Sequence, residues 1–140
     1  MANKMILLVD DDPDVRLAMH VRLKANGYDT CFASDALSSV SEAHKHQPNL
    51  VILDLGLPGD DGFVAIQQLK RHPSLAVIPI IVVSARDASG NQERATKAGA
   101  KFYLQKPVDN AELLAIIRRS VGQPEHPGDS DLTGNYKLFA

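Results

Sequence analysis

Three stretches of the chain are apolar without interruption and of strand length: Met5–Val9, Leu50–Leu53 and 78–83. They lack the alternation of a strand with one wet face, which is the pattern of strands covered on both sides in a parallel sheet. Two shorter and more mixed runs, 28–32 and 101–104, suit positions near the edges of such a sheet. Pro79 stands near the start of its run, where a missing backbone donor is tolerated.

Between these runs the apolar positions take up helical spacing. The first helix has Asp12 as N-cap, Pro13 at its first position, a stripe of Val15, Ala18, Met19 and Leu23, and Asn26-Gly27 as its stop. The last opens on Asp109 and Glu112, which have capping-box spacing, ahead of Leu113, Leu114, Ile116, Ile117 and Val121. Three further helices are expected near 35–46, 62–71 and 91–98, the last closing on Gly99. Five strands alternating with five helices predict right-handed crossovers and a doubly wound parallel α/β sheet. The expected strand order is 2-1-3-4-5, with the topological switch between the first and third strands and ligands at the strands' carboxyl ends.

The length of 140 residues corresponds to one ordinary domain with a sizeable core. Cys31 is the only cysteine, so no intrachain disulfide forms, and its apolar setting predicts an inert buried thiol in a reducing compartment, the cytoplasm. The N-terminal apolar run is too short for a signal peptide and ends in acids, and no stretch is long enough to span a bilayer. A net charge of -2 without a basic patch argues against direct nucleic-acid or membrane binding by this segment. From Gly122 the composition turns to Pro, Gly and acids, so the domain is expected to occupy 1–122 and a flexible linker or tail 123–140. The last residues, 132–140, become apolar again, as if they either dock back on the body or begin a following domain.

Charge matters most in its placement. On the predicted fold, Asp10, Asp11, Asp12, Asp14, Asp35, Asp54, Asp60, Asp61, Asp87 and Asp109 fall at strand carboxyl ends or in the loops after them, with only Arg86 and Lys106 as bases among them. Such a rim should be electronegative and should concentrate cations. Two carboxylates ~5 Å apart repel by about 3 kcal/mol at an effective dielectric near 20, so the crowding of Asp10, Asp11 and Asp54 at the switch point calls for a counter-charge. A hard divalent ion such as Mg²⁺, which takes one or two carboxylates and often a phosphate oxygen, meets that need. Ser84 closes the fourth strand and Lys106 follows the fifth. A hydroxyl, an ammonium and a metal around a carboxylate are equipment for a phosphoryl group, with Asp54 as the acceptor nucleophile.

Leu8-Val9-Asp10-Asp11-Asp12-Pro13, Asp54-Leu55-Gly56-Leu57-Pro58-Gly59-Asp60-Asp61-Gly62, Val83-Ser84-Ala85-Arg86 and Tyr103-Leu104-Gln105-Lys106-Pro107 resemble, in order and spacing, the motifs of the response-regulator receiver domain. The resemblance covers residues 4–122 and implies a flavodoxin-like (βα)5 fold working in His-Asp phosphorelay signalling, a phosphoacceptor module that assists its own phosphorylation and dephosphorylation rather than an enzyme. It further implies that Asp54 takes a phosphoryl group from a sensor histidine kinase or phosphotransfer protein. Asp11 and Asp54 would bind Mg²⁺ directly, Asp10 through water, and Gly56 through its backbone carbonyl. Ser84 and Lys106 would contact phosphoryl oxygens, Tyr103 would swing inward as Ser84 moves, and the Lys106-Pro107 bond would be cis. A downstream effector, or a second copy in a phosphorylation-dependent homodimer, would read the face of the fourth helix, fifth strand and fifth helix.

Two departures from the family pattern stand out. Gly56 has no side chain where the family usually carries one, which leaves the phosphoryl position open, and Arg86 stands where it could cover it. Lys101-Phe102 replaces the acidic pair common in receivers that dimerise as DNA-binding regulators. A rival from the enzyme class, a haloacid-dehalogenase-like phosphatase, shares the chemistry and finds its Asp-x-Asp start in Asp10 and Asp12, but needs both acids on one strand and a later acid pair.

Overall fold

The structure, a computed structural model, describes residues 3–124 and the segment Tyr136–Leu138. The strands are β1 (Met5–Val9), β2 (Asp29–Ala33), β3 (Leu50–Leu53), β4 (Ile80–Ser84), β5 (Phe102–Gln105) and β6 (Tyr136–Leu138). The helices are α1 (Pro13–Ala25), α2 (Ala36–His46), α3 (Asp61–Arg71), α4 (Ala88–Ala98) and α5 (Asn110–Ser120). The first five strands are parallel in the order β2-β1-β3-β4-β5, as the alternating pattern predicts. β6 adds a sixth strand, antiparallel to β5. The run 101–104, expected near an edge, forms β5, the last of the parallel strands, and β6 lies along its outer side. The linker expected over 123–140 falls largely on 125–135 and 139–140, outside the described residues.

Both sheet faces are buried because every crossover helix lies on one of them. Leu7, Val9, Val51, Leu53, Ile80 and Val82 pack with Ala43 of α2, Phe63 and Ile66 of α3 and Ala95 of α4. Their alternates, Ile6, Leu8, Leu50, Ile52, Ile81 and Val83, pack with Leu23 of α1 and with Leu113 and Ile117 of α5. That double coverage explains the unbroken apolar runs, and each fully buried aliphatic side chain stabilises the fold by about 1.5–3 kcal/mol. Cys31 lies in the first of these cores, and burial pushes its thiol up to about 11, so it is inert at neutral pH.

β4 and β5 each run one residue past their apolar positions at the carboxyl end, to Ser84 and Gln105, toward the end where the chemistry sits. β4 begins at Ile80, two residues later than the apolar run, and Pro79 contributes only its carbonyl, which accepts from Val51 N–H at 3.0 Å. At its other end β4 runs on to Ser84, which pairs in register with Gln105, and Lys106 N–H donates to the Ser84 carbonyl at 2.8 Å. In α4, the regular helix covers the expected 91–98. Its first turn is set off by Ser89 and by Gly90, whose φ of 76° lies in the left-handed region that glycine adopts without penalty.

Candidate functional site

Register brings the key acids together. Val9 pairs with Leu53 across β1 and β3, and Asp54 N–H donates to the Val9 carbonyl at 2.9 Å, so Asp10 and Asp54 leave adjacent strands side by side. Asp54 is largely enclosed, its side chain 15% exposed. One carboxylate oxygen, Oδ1, accepts from Gly56 N–H at 2.7 Å, and the other, Oδ2, forms an ion pair with Lys106 Nζ at 2.9 Å. Lys106 comes from the loop after β5, and its peptide bond to Pro107 is cis. A Cβ on residue 56 would lie 3.1 Å from Asp54 Oδ1, so the absence of a side chain there is what lets the backbone amide approach the carboxylate closely.

Asp10 is buried, and its Oδ1 accepts from Asp12 N–H at 2.9 Å. Burial above all, together with the neighbouring charge of Asp54, raises its pKa from 3.8 to about 6, although the Asp12 amide and the Lys106 ammonium pull the other way. The floor beneath these two acids is apolar, a small cavity lined by Leu8, Val15, Met19, Ile52 and Val83, which accounts for the desolvation. Asp11 stands exposed at the mouth, with no hydrogen bond or ion pair to its carboxylate among the described residues.

Ser84 and Tyr103 form the adjoining wall. Ser84 is fully buried, and its Oγ accepts from Arg86 N–H at 3.1 Å. Tyr103 is turned inward at 1% exposure, and its hydroxyl donates to the Arg86 carbonyl at 2.9 Å. Burial raises the Tyr103 pKa, partly offset by a hydrogen bond with Ser84. The hydroxyl, the phenol and the backbone at Arg86 are therefore one connected unit.

Most of the other rim acids have structural work. Asp12, Asp35, Asp87 and Asp109 cap α1, α2, α4 and α5, accepting from Asp14, Ser38, Ser89 and Glu112 N–H respectively. Asp61 Oδ2 accepts from Ala36 N–H at 2.7 Å, adding a second carboxylate to the start of α2, and Asp60 pairs with Arg94 at 3.2 Å. Within the rim of acids expected from sequence, helix N-termini and Arg94 satisfy several carboxylates, leaving Asp10, Asp11 and Asp54 as the group whose charges these contacts do not answer. Replacing Asp61 by Ala should cost about 1–2 kcal/mol of stability in urea unfolding while leaving the Asp54 surroundings unchanged.

Arg16 and Arg94 take positions that sequence reasoning did not assign, and Arg86, expected where it could cover the phosphoryl position, reaches the β3–α3 connection. Arg16 Nη1 donates to the Asp10 carbonyl at 2.6 Å, fixing the turn that carries Asp10 and Asp11. Arg86 Nη2 donates to the Gly59 carbonyl at 3.2 Å, and Arg94 lies over the Phe63 ring at 3.9 Å while reaching Asp60. Arg16 is one helical turn beyond the cap Asp12, so its reach back to the loop could have been suspected from spacing. The arginine contacts from the β4–α4 loop and from α4 to the β3–α3 connection depend on tertiary placement and had no sequence signal.

A parallel sheet with acids gathered at its switch point and a lysine delivered from the end of the last parallel strand defines a doubly wound α/β module with a charged carboxyl-end site. The model of the response regulator receiver domain matches residues 6–118, and the chain belongs to that family. RpaA of Synechocystis sp., a DNA-binding dual master transcriptional regulator, is 37% identical over 113 residues, 81% of this chain and 47% of its own length. Protein PilH of Pseudomonas aeruginosa is 33% identical over 112 residues, 80% of this chain and 93% of PilH. Among solved structures, the receiver domain of a sensor histidine kinase from Pseudomonas aeruginosa PAO1, with a magnesium ion coordinated in its active-site cleft, superposes with a TM-score of 0.79 at 30% identity, covering 87% of this chain and all (100%) of that one. The chain spans about half the length of RpaA and a quarter of the response regulator PleD of Caulobacter vibrioides, at 47% and 25%. Among the described residues no helix is long and apolar enough to cross a membrane.

Proposed function

We propose that this receiver accepts a phosphoryl group on Asp54 from a histidine kinase or phosphotransfer protein and thereby changes what its α4–β5–α5 face binds. The observation that carries the reading is the setting of Asp54: enclosed at the end of a central strand, held at one oxygen by Gly56 N–H and at the other by Lys106, with Asp10 alongside. In the transfer, an Asp54 carboxylate oxygen forms the new O–P bond as the donor's P–N bond breaks, and the released imidazole takes a proton from solvent. Lys106, already 2.9 Å from Oδ2, is placed to stay with the charge that arrives on the phosphoryl oxygens. Ser84 Oγ supplies a hydroxyl donor once it exchanges its contact with Arg86 N–H for the phosphoryl group.

The donor set fits Mg²⁺. Among the described residues no three His, Cys, Asp or Glu side chains would enclose a metal by themselves. Mg²⁺ does not require that, since it binds through one or two carboxylates and keeps water. Asp11 and Asp54 would hold it directly, Asp10 through water, and Gly56 by its carbonyl; the pKa of Asp10 is raised by burial first and then by the neighbouring charge of Asp54, and such an ion would offset the second of these. When bound, it would neutralise charge on the transferring phosphoryl group.

Tyr103 already lies inside, bonded to the Arg86 carbonyl, so in this reading the first moving part is Ser84, and the Arg86 backbone passes its displacement to Tyr103 and β5. The phosphatase reading loses its second acid, because Asp12 is occupied in capping α1.

The test is incubation with Mg²⁺ and a small acyl-phosphate donor, followed by intact mass. One phosphoryl group should be gained by the wild type, and none in the presence of a chelator. Unchanged modification in an Asp54→Asn variant would refute the assignment. Gly56→Ala, whose Cβ would press on Oδ1, should slow incorporation by about threefold to tenfold, measured as the initial rate with the same donor.

A further inference from the structure

β5 carries two kinds of information at once. Along one side it is paired to β4, and Lys106 N–H, just after it, donates to the Ser84 carbonyl at 2.8 Å. Alternation along the strand then keeps the Phe102 and Leu104 amides on β4 and turns the Tyr103 amide toward the outer edge of the sheet. Tyr103 stands opposite Lys137, flanked by the pairs Phe102–Leu138 and Leu104–Tyr136. An uncovered edge with its outward backbone groups would be a ready template for any extended chain.

We propose that the outer edge of β5 is a strand-docking edge, and that this chain's own segment Tyr136–Leu138 closes it in cis, so that a partner presenting an extended segment to this edge must displace it. Three observations support the assignment. The antiparallel register is in place over all three residues of β6. The segment reads apolar-polar-apolar, Tyr-Lys-Leu, after a stretch rich in Pro, Gly and acids that has no such pattern. The strand it covers holds Tyr103, whose hydroxyl is bonded at Arg86, so the covered edge and the hydroxyl wall of the site share one strand.

The tether decides why a three-residue strand suffices. Residues 125–135 join it to the body, and a short linker of this kind gives an effective concentration in the millimolar range. A strand too weak to bind as a free peptide is therefore held when tethered. A competing segment must add contacts beyond the backbone ladder, which favours a partner whose strand is flanked by apolar side chains. The inference does not depend on phosphorylation, and it would stand or fall separately from the role of Asp54.

The test is amide exchange by NMR on the full chain, comparing wild type with Lys137→Pro, which deletes the tail amide opposite Tyr103, and with Lys137→Ala, which leaves the backbone ladder intact. The Tyr103 amide should exchange about tenfold faster in the proline variant and at the wild-type rate in Lys137→Ala, while Ile81 and Val83 keep their rates in all three. A readout that needs no variant is the set of cross-strand Hα–Hα NOEs joining Leu104 to Tyr136 and Phe102 to Leu138. Their absence in the wild type, or equal exchange of Tyr103 with and without the proline, would overturn the proposal. Slow exchange that appears only at concentrations where the chain sediments as a dimer would also overturn it, by assigning the strand to a second copy.

Discussion

Asp10→Asn should make the metal-free protein more stable, by about 1–3 kcal/mol at pH 7.5, while removing most of the stabilisation that Mg²⁺ confers on the wild type. The sign follows from the carboxyl's position. Burial beside Asp54 raises its pKa from 3.8 to about 6, so the folded state holds this proton more tightly than the unfolded chain does. The stabilisation from that proton is complete below about 4 and is lost as pH rises through about 6, so above that pH the folded state carries a buried, poorly compensated charge. Asparagine keeps an acceptor for Asp12 N–H and has no charge to desolvate. Urea unfolding in chelator at pH 4 and pH 7.5 checks this: the variant's advantage should be present at the higher pH and nearly gone at the lower. A variant less stable than wild type at pH 7.5 would show that the crowding of Asp10 and Asp54 is not destabilising.

Lys106→Met should have the other large effect, lowering the rate of phosphoryl incorporation by about 100- to 1000-fold, the range for removing a preorganised charge from a developing anion. It also strands Asp54, whose side chain is only 15% exposed, without its ion-pair partner, at an expected cost of about 1–3 kcal/mol. Adding Asp54→Asn to Lys106→Met should recover part of that stability, because the second change removes the charge that the first left unpaired. Initial rates with a small phosphodonor and a double-mutant cycle in urea measure the two effects separately. Additive stability losses would mean that the 2.9 Å pair contributes nothing as a pair.

The parts of this molecule that were legible in its sequence are those set by local pattern. Unbroken apolar runs marked the buried strands, and Asp12 before Pro13 marked the start of α1 because the cap and the proline act within one turn. The convergence of Asp10 and Asp54 followed from strand order alone, since adjacent parallel strands deliver their last residues to one place. The less legible features are those in which a side chain serves a distant element. Asp61 reads as another rim acid until its carboxylate is found at the amide of Ala36. Arg16 reads as a solvated base on α1 until it is found on the Asp10 carbonyl. Docking of the last residues on the body was one of the two readings their apolar character left open, but its place on β5 was hidden, because a three-residue alternating segment after a Pro- and Gly-rich stretch has no register of its own until an open edge supplies one.

The account rests on Asp54 being the nucleophile that the surrounding groups serve. Borohydride reduction after incubation with Mg²⁺ and the phosphodonor converts an aspartyl phosphate to homoserine, and fragment-ion mapping then locates it. A single homoserine at position 54 is the predicted result. Homoserine at position 10 or 11, or phosphate retained on a histidine with position 54 unmodified, would contradict it.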